Sequence, residues 1–228
     1  MAVTKRTSGR KRTTTLQAPR LDAVDPQDVR PGDADRLLDR ESHDAESFDG
    51  LDLSDRDLEG SSFTECVLRG LQLGGTRFRG SRFIDTVVLD SFAPALAAPR
   101  TTWRAVRIER PRWGSAELFD AELEQVEISG GKIDYLNLRE SQLTDVVIEG
   151  CSIGELDLGG VRADRVALRD CRIGTLDVTR ADLVDVDLRS SSFDAVTGLE
   201  GLRGVVVDDG QLALLAPLLA AQLGIVVA

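Results

Sequence analysis

Residues 131–138 read GKIDYLNL, residues 151–158 CSIGELDL, residues 171–178 CRIGTLDV and residues 191–196 SSFDAV. These four segments begin twenty residues apart and repeat one order of small, polar, large apolar and polar side chains. Working outward from them, every fifth residue from Phe48 to Phe193 is apolar, and among these only Ala93, Ala98 and Ala163 are small. A period of five is neither the 3.6 of a helix nor the 2 of a plain strand.

Two residues before the large one the side chain is often short, as at Ser61, Cys66, Thr76, Ser81, Ala121, Gly131, Ser141, Cys151, Cys171, Ala181 and Ser191. The other three positions are mostly Asp, Glu, Arg, Gly and Ser. Two residues in five therefore face inward and three face water. Five residues make one side of a square and twenty make a coil, with like positions stacked about 4.8 Å apart. Ile133, Ile153, Ile173 and Phe193 form one predicted column, and Leu138, Leu158 and Val178 the next. The pattern predicts an all-β, right-handed quadrilateral β-helix of seven and a half coils, roughly 36 Å long. Each coil buries its interior only against its neighbours, so both ends need caps.

Segments ADLVD (181–185), VDLRS (186–190) and LDLSD (51–55) resemble the A(D/N)LXX motif of the pentapeptide-repeat family. The resemblance covers about 48–195 and implies a noncatalytic protein. In DNA-mimicking members of that family a negatively charged rod imitates duplex DNA, binds DNA gyrase or related topoisomerases and protects them from fluoroquinolones. There a C-terminal helix also makes the dimer, so the resemblance implies a homodimer through such a helix.

Outside the repeat, residues 1–20 are basic, patternless and expected to be disordered. Residues 21–47 are acidic, with His43 the single histidine, and are expected to cap the first coil loosely. A short helix is predicted over 33–42. Pro94 and Pro99 predict an interrupted ladder, and Trp103 and Trp113 local distortion or an outward ring, between 91 and 113. Residues 196–228 form the second cap. It carries a helix over about 209–223, N-capped by Asp208 or Asp209, striped by Leu212, Leu215, Leu219 and Leu223, kinked at Pro217 and stopped at Gly224. IVVA (225–228) is read as a last short strand.

Charge is uneven along the chain. Residues 66–115 carry nine arginines against three acidic residues, and residues 116–228 carry nine basic against twenty-one acidic. Arg77, Arg79, Arg82, Arg104, Arg107, Arg110 and Arg112 in this basic waist are candidate partner-contacting residues, suited to carboxylates or phosphate. Glu117, Asp157 and Asp177, with Asn137, share one predicted outward column and are the acidic candidates. The three cysteines match neither a zinc pattern nor a disulfide framework, and Cys66, Cys151 and Cys171 are expected to be buried and inert. His43, with no second nitrogen or sulfur ligand near it, is expected to be solvated. No Gly-rich phosphate loop or nucleophile elbow appears, so no catalytic residue, metal or cofactor is expected.

No stretch of about 18 apolar residues is present, and no apolar segment follows the basic N-terminus. The expectation is a cytoplasmic protein without membrane or specific nucleic-acid binding. Its expected role is a protein-interaction or scaffolding module with an unidentified protein partner. The alternative is a DNA-mimic modulator of DNA gyrase, which would need acidic columns that line up along the rod.

Overall fold

A computed structural model describes residues 16–226 of the chain. Every strand pair is parallel, and partners in the regular coils are twenty residues apart: Ile133 opposes Ile153, which opposes Ile173, which opposes Phe193. The backbone N–H of Leu138 donates to Asp157 O at 2.9 Å, and that of Leu158 to Asp177 O at 2.8 Å, so the second column stacks as well. One sheet has twelve strands, from Arg30–Pro31 to Val205–Val206, and the other six, from Phe92–Ala97 to Ser192–Thr197. Ten of the twelve strands form one stacked path from Arg30–Pro31 to Val205–Val206, about nine turns and a rod of roughly 43 Å at the inter-strand spacing.

The coil turns its corners by left-handed backbone at every fifth residue, as at Asp85 (φ 47°) and Gly75 (φ 72°). A side chain at Gly75 would also collide with the Asp55 carboxylate. The corners at Ala95, Ser115, Tyr135, Glu155, Thr175 and Ala195 are the exception. Their backbone is not left-handed, and the strand runs straight through them to make the six-residue strands of the smaller sheet.

The interior is one continuous cluster from Leu37 to Leu215, built from the predicted columns. Segment 91–113 corrects the expected distortion: Phe92–Ala97, Thr102–Glu109 and Arg112–Glu117 are regular strands, with Trp103 and Trp113 buried. Two facts explain it. Ala93 lies in register beneath Trp113, and Ala98 is buried in the same coil, so small residues make room for the indoles. Trp103 stacks on Phe83 with ring centroids 4.0 Å apart, its Nε1 donating to Thr101 Oγ1, while Trp113 Nε1 donates to Ser91 Oγ. The prolines are harmless for a reason of position. In this coil the residue after each central one donates nothing to the ladder: Leu53 and Asp55 donate to the next coil, and Ser54 between them to Asp52 Oδ1. Pro94 and Pro99 occupy that slot.

The ends also depart from expectation. His43 is buried, not solvated, because it falls one period before Phe48 and fills a central position. It stacks on Phe63 at 5.1 Å, extending the aromatic column Phe63–Phe83–Trp103 by one rung. Its Nδ1–H donates to Glu46 Oε2 at 2.9 Å, and Arg30 Nη2 reaches Glu46 Oε1 at 3.1 Å. Over 33–42 only a 3-10 turn forms, Ala34–Arg36. At the other end the helix α1 runs Asp209–Gln222 without interruption at Pro217. Asp208 and Gln211 form a reciprocal capping box, and Gln211 Nε2 donates to Leu188 O and Ser191 O, satisfying carbonyls of the last coil. Gly224 follows in left-handed backbone. Ile225 and Val226 form no strand; Val227, Ala228 and residues 1–15 of the basic tail lie outside the described residues.

Candidate functional site

Stacking at twenty-residue intervals decides which charges meet. The arginines of the waist fall at different phases of the coil and so spread around the rod instead of forming one patch. Most face a carboxylate one coil away: Arg77 reaches Asp57 at 2.9 Å, Arg104 reaches Glu124 at 2.9 Å, and Arg110 grips both oxygens of Asp90. The Arg77 and Arg110 hydrogen bonds hold the Asp57 and Asp90 carboxyls below their ordinary range. Arg107 pairs with Glu109 and also donates to Val24 O. Arg79 lies in a cleft with Arg40, Arg100, Asp57 and Glu59. Among the described residues Arg82 and Arg112 have no carboxylate within ion-pair distance.

The acidic column is assembled as the period predicts, with Glu117, Asn137, Asp157 and Asp177 in consecutive register. Its members are stapled rather than displayed. Asn137 Nδ2 donates to Glu117 Oε2 at 2.6 Å, and Asn137 and Asp157 are buried. Asp157 accepts from Gly159 N–H, Arg139 Nη1 and the Tyr135 hydroxyl; burial and then that carboxylate push the Tyr135 hydroxyl up to about 12. Asp177 Oδ1 accepts from Thr179 N–H at 2.8 Å.

The thiols are internal. Cys151 Sγ–H donates to Glu149 O and Cys171 Sγ–H to Ile148 O and Arg169 O. Burial pushes the Cys66 thiol up to about 11. Among the described residues no cluster of His, Cys, Asp and Glu has an arrangement that could hold a metal ion, and no helix is long and apolar enough to cross a membrane. One concavity, about 750 Å³, is a shallow cleft lined by Phe92, Arg112, Lys132, Pro94 and Gly114.

Two surfaces lie outside the arginine and carboxylate candidates. One is the outer face of α1, the helix through which the resemblance implied a homodimer. Leu215 and Gln211 close the rod, but Leu212, Leu214 and Leu218 stay 50%, 62% and 42% exposed. The expected stripe therefore describes only half the helix, because α1 is apolar on all sides. The other is a lane along the rod occupied by residues 16–28. Its anchor Asp145 is held by a bidentate Arg165 at 2.7 and 2.8 Å, which keeps its carboxyl below the ordinary range. The period alone marks Asp145 and Arg165 as outward; only the path of the N-terminal segment shows what covers them.

Parallel coils of four five-residue sides, stacked in twenty-residue register around an aliphatic interior, define a β-solenoid class. Residues 47–83 match the family model described as "Pentapeptide repeats (8 copies)", and the same register continues to Phe193. Residues 47–83 are thus a run of pentapeptide repeats within this solenoid. Among solved structures the chain is similar to trypsin-treated QnrB1, "a plasmid-mediated fluoroquinolone resistance protein", at 18% identity over 84% of this chain and 93% of that one, with a TM-score of 0.36. It is also similar to HetL from the cyanobacterium Nostoc sp. strain PCC 7120, a pentapeptide repeat protein involved in heterocyst differentiation regulation. There the identity is 12% over 77% and 92% of the chains, with a TM-score of 0.30. No curated protein matches the sequence.

Proposed function

We propose that the chain is a noncatalytic cytoplasmic interaction module, a stiff rod that presents its surface to a protein partner and pairs with a second copy of itself through α1. One observation carries this reading: α1 is apolar all round, yet the rod covers only the side of Leu215, leaving Leu212, Leu214, Leu218 and Leu223 exposed. A helix with no polar face is ordinarily buried on all sides, and a contiguous apolar patch on a soluble protein marks an interaction surface. A two-fold axis through α1 would join the same patch on both copies and leave the rods pointing away from each other.

The twenty-one acidic residues of 116–228 favour a second reading, imitation of duplex DNA by a partner of DNA gyrase. Against it stands the mixing of signs within columns: Arg165 follows Asp145, Arg169 follows Glu149, and Asp157 is buried under Arg139. A gyrase supercoiling assay with the purified protein separates the two. The scaffold reading expects no effect at micromolar protein; salt-sensitive inhibition of supercoiling, or protection from a fluoroquinolone, would replace it with the mimic.

A further inference from the structure

Residues 16–28 run along one side of the rod at a constant pitch. Arg20 N–H donates to Asp145 Oδ1 at 2.9 Å, Asp22 Oδ2 accepts from Gln125 Nε2 at 3.1 Å, and Val24 O accepts from Arg107 Nε at 3.3 Å. Arg30 N–H then donates to Ala45 O at 2.9 Å. Two residues of this strap thus pass each coil, a rise of about 2.4 Å per residue against about 3.3 Å in a strand. The strap is accordingly buckled, and no strand forms within 16–28.

Beside these contacts the rod carries a lane in consecutive register, Val87, Arg107, Glu127, Val147 and Ala167. Its members Val87, Val147 and Ala167 are only 3%, 3% and 1% exposed. The lane is made without the strap's help, since Arg82–Leu89, Gln142–Glu149 and Arg162–Arg169 are each paired along both edges within the sheet. The strap, in contrast, is tied to it by three hydrogen bonds over residues 16–28, one of them from its own backbone N–H, and Pro19 and Pro26 have no N–H to give.

We propose that this lane is a peptide-docking surface whose resting occupant is the chain's own strap, and that a protein partner engages it by displacing the strap with an extended segment of the same chemistry. That segment would bring small apolar side chains to Val87, Val147 and Ala167, a free amide N–H to Asp145, a carboxylate to Gln125 and a carbonyl to Arg107. The strap itself is the evidence for the kind of ligand: an acidic, proline-containing peptide already lies there. This deepens the interaction-module reading by naming a partner surface, and it involves no residue of α1.

The test uses the full chain and a fluorescent peptide of residues 16–28, LQAPRLDAVDPQD, titrated by anisotropy. Asp22→Ala changes an exposed strap residue and leaves the lane intact. A cis occupant lowers apparent affinity by the fraction of time the lane is open, so the variant is expected to bind the peptide at least fivefold more tightly than the native chain. Hydrogen exchange should show strap amides opening at least a hundredfold faster than those of Gln142–Glu149. Equal peptide binding by both proteins, or strap amides exchanging as slowly as that strand, would make the strap a permanent part of the fold and overturn the proposal. The molar mass of the same samples reports pairing through α1, so a failed lane and a failed interaction module are distinguishable.

Discussion

The backbone N–H of Glu59 donates to Oδ1 of Asp57, two residues before it, at 3.1 Å. The same bond recurs at Ser54–Asp52, Arg139–Asn137, Gly159–Asp157, Thr179–Asp177 and Arg189–Asp187. In each case the donor is the residue after the central one, whose N–H the coil ladder leaves free. An Asp or Asn before the central residue is therefore the local partner of an otherwise orphaned donor. Pro94 and Pro99 have no such N–H, and the residues two before them are Phe92 and Ala97, neither Asp nor Asn.

This logic predicts a coupling. Pro94→Ser restores an N–H with no acceptor and should destabilise the rod, and Phe92→Asp supplies the acceptor. The pair should be more stable than the sum of the single effects by about 0.5–1 kcal/mol, measured as a double-mutant cycle in urea. Asp177→Ala should cost about 1 kcal/mol and Asp177→Asn much less. Strict additivity in the cycle would remove the explanation.

The indoles are fitted by volume. Trp103→Ala should cost about 3–5 kcal/mol, since it empties a buried site stacked on Phe83. Ala93→Leu should cost about 1–3 kcal/mol by overfilling the space beside Trp113. Both are read from urea midpoints. A tolerated Ala93→Leu would mean that the small residues at 93 and 98 do not make the room.

How far the sequence reaches is visible in these residues. A period of five names nearly every interior side chain, including His43 once the count is carried one step before Phe48. It mistook Trp103 and Trp113 for misfits because period gives phase but not volume, and the compensating alanines sit one coil away. It saw Pro94 and Pro99 as ladder breaks because hydrogen-bond direction is invisible to apolar patterning. Phase correctly stacked Glu117, Asn137, Asp157 and Asp177, but their burial depends on Arg139 and Tyr135, chosen by side-chain reach. The strap over Asp145 has no period at all and is legible only in three dimensions.

Acid should loosen the N-terminal end. Burial opposes ionisation of Glu46, but the hydrogen bonds from His43 and Arg30 outweigh it and hold the carboxyl below 4.5. A lowered folded-state pKa contributes stability that is complete above pH 4.5 and is lost as pH falls through the folded value. Glu46→Gln should therefore be less stable than the native chain at pH 7, with the gap closing on acidification below pH 4.5. A gap that stays constant from neutral to acid pH would show that the carboxylate's charge plays no part.

The interaction-module reading is tested most directly by the molar mass of the protein in solution, measured by light scattering on a sizing column. The native chain should run at twice 24.7 kDa. A variant carrying Leu214→Glu and Leu218→Glu, which alters only exposed positions of α1, should run at 24.7 kDa with an unchanged β-sheet spectrum. A native protein that runs as a single 24.7 kDa chain at high micromolar concentration would contradict pairing through the helix.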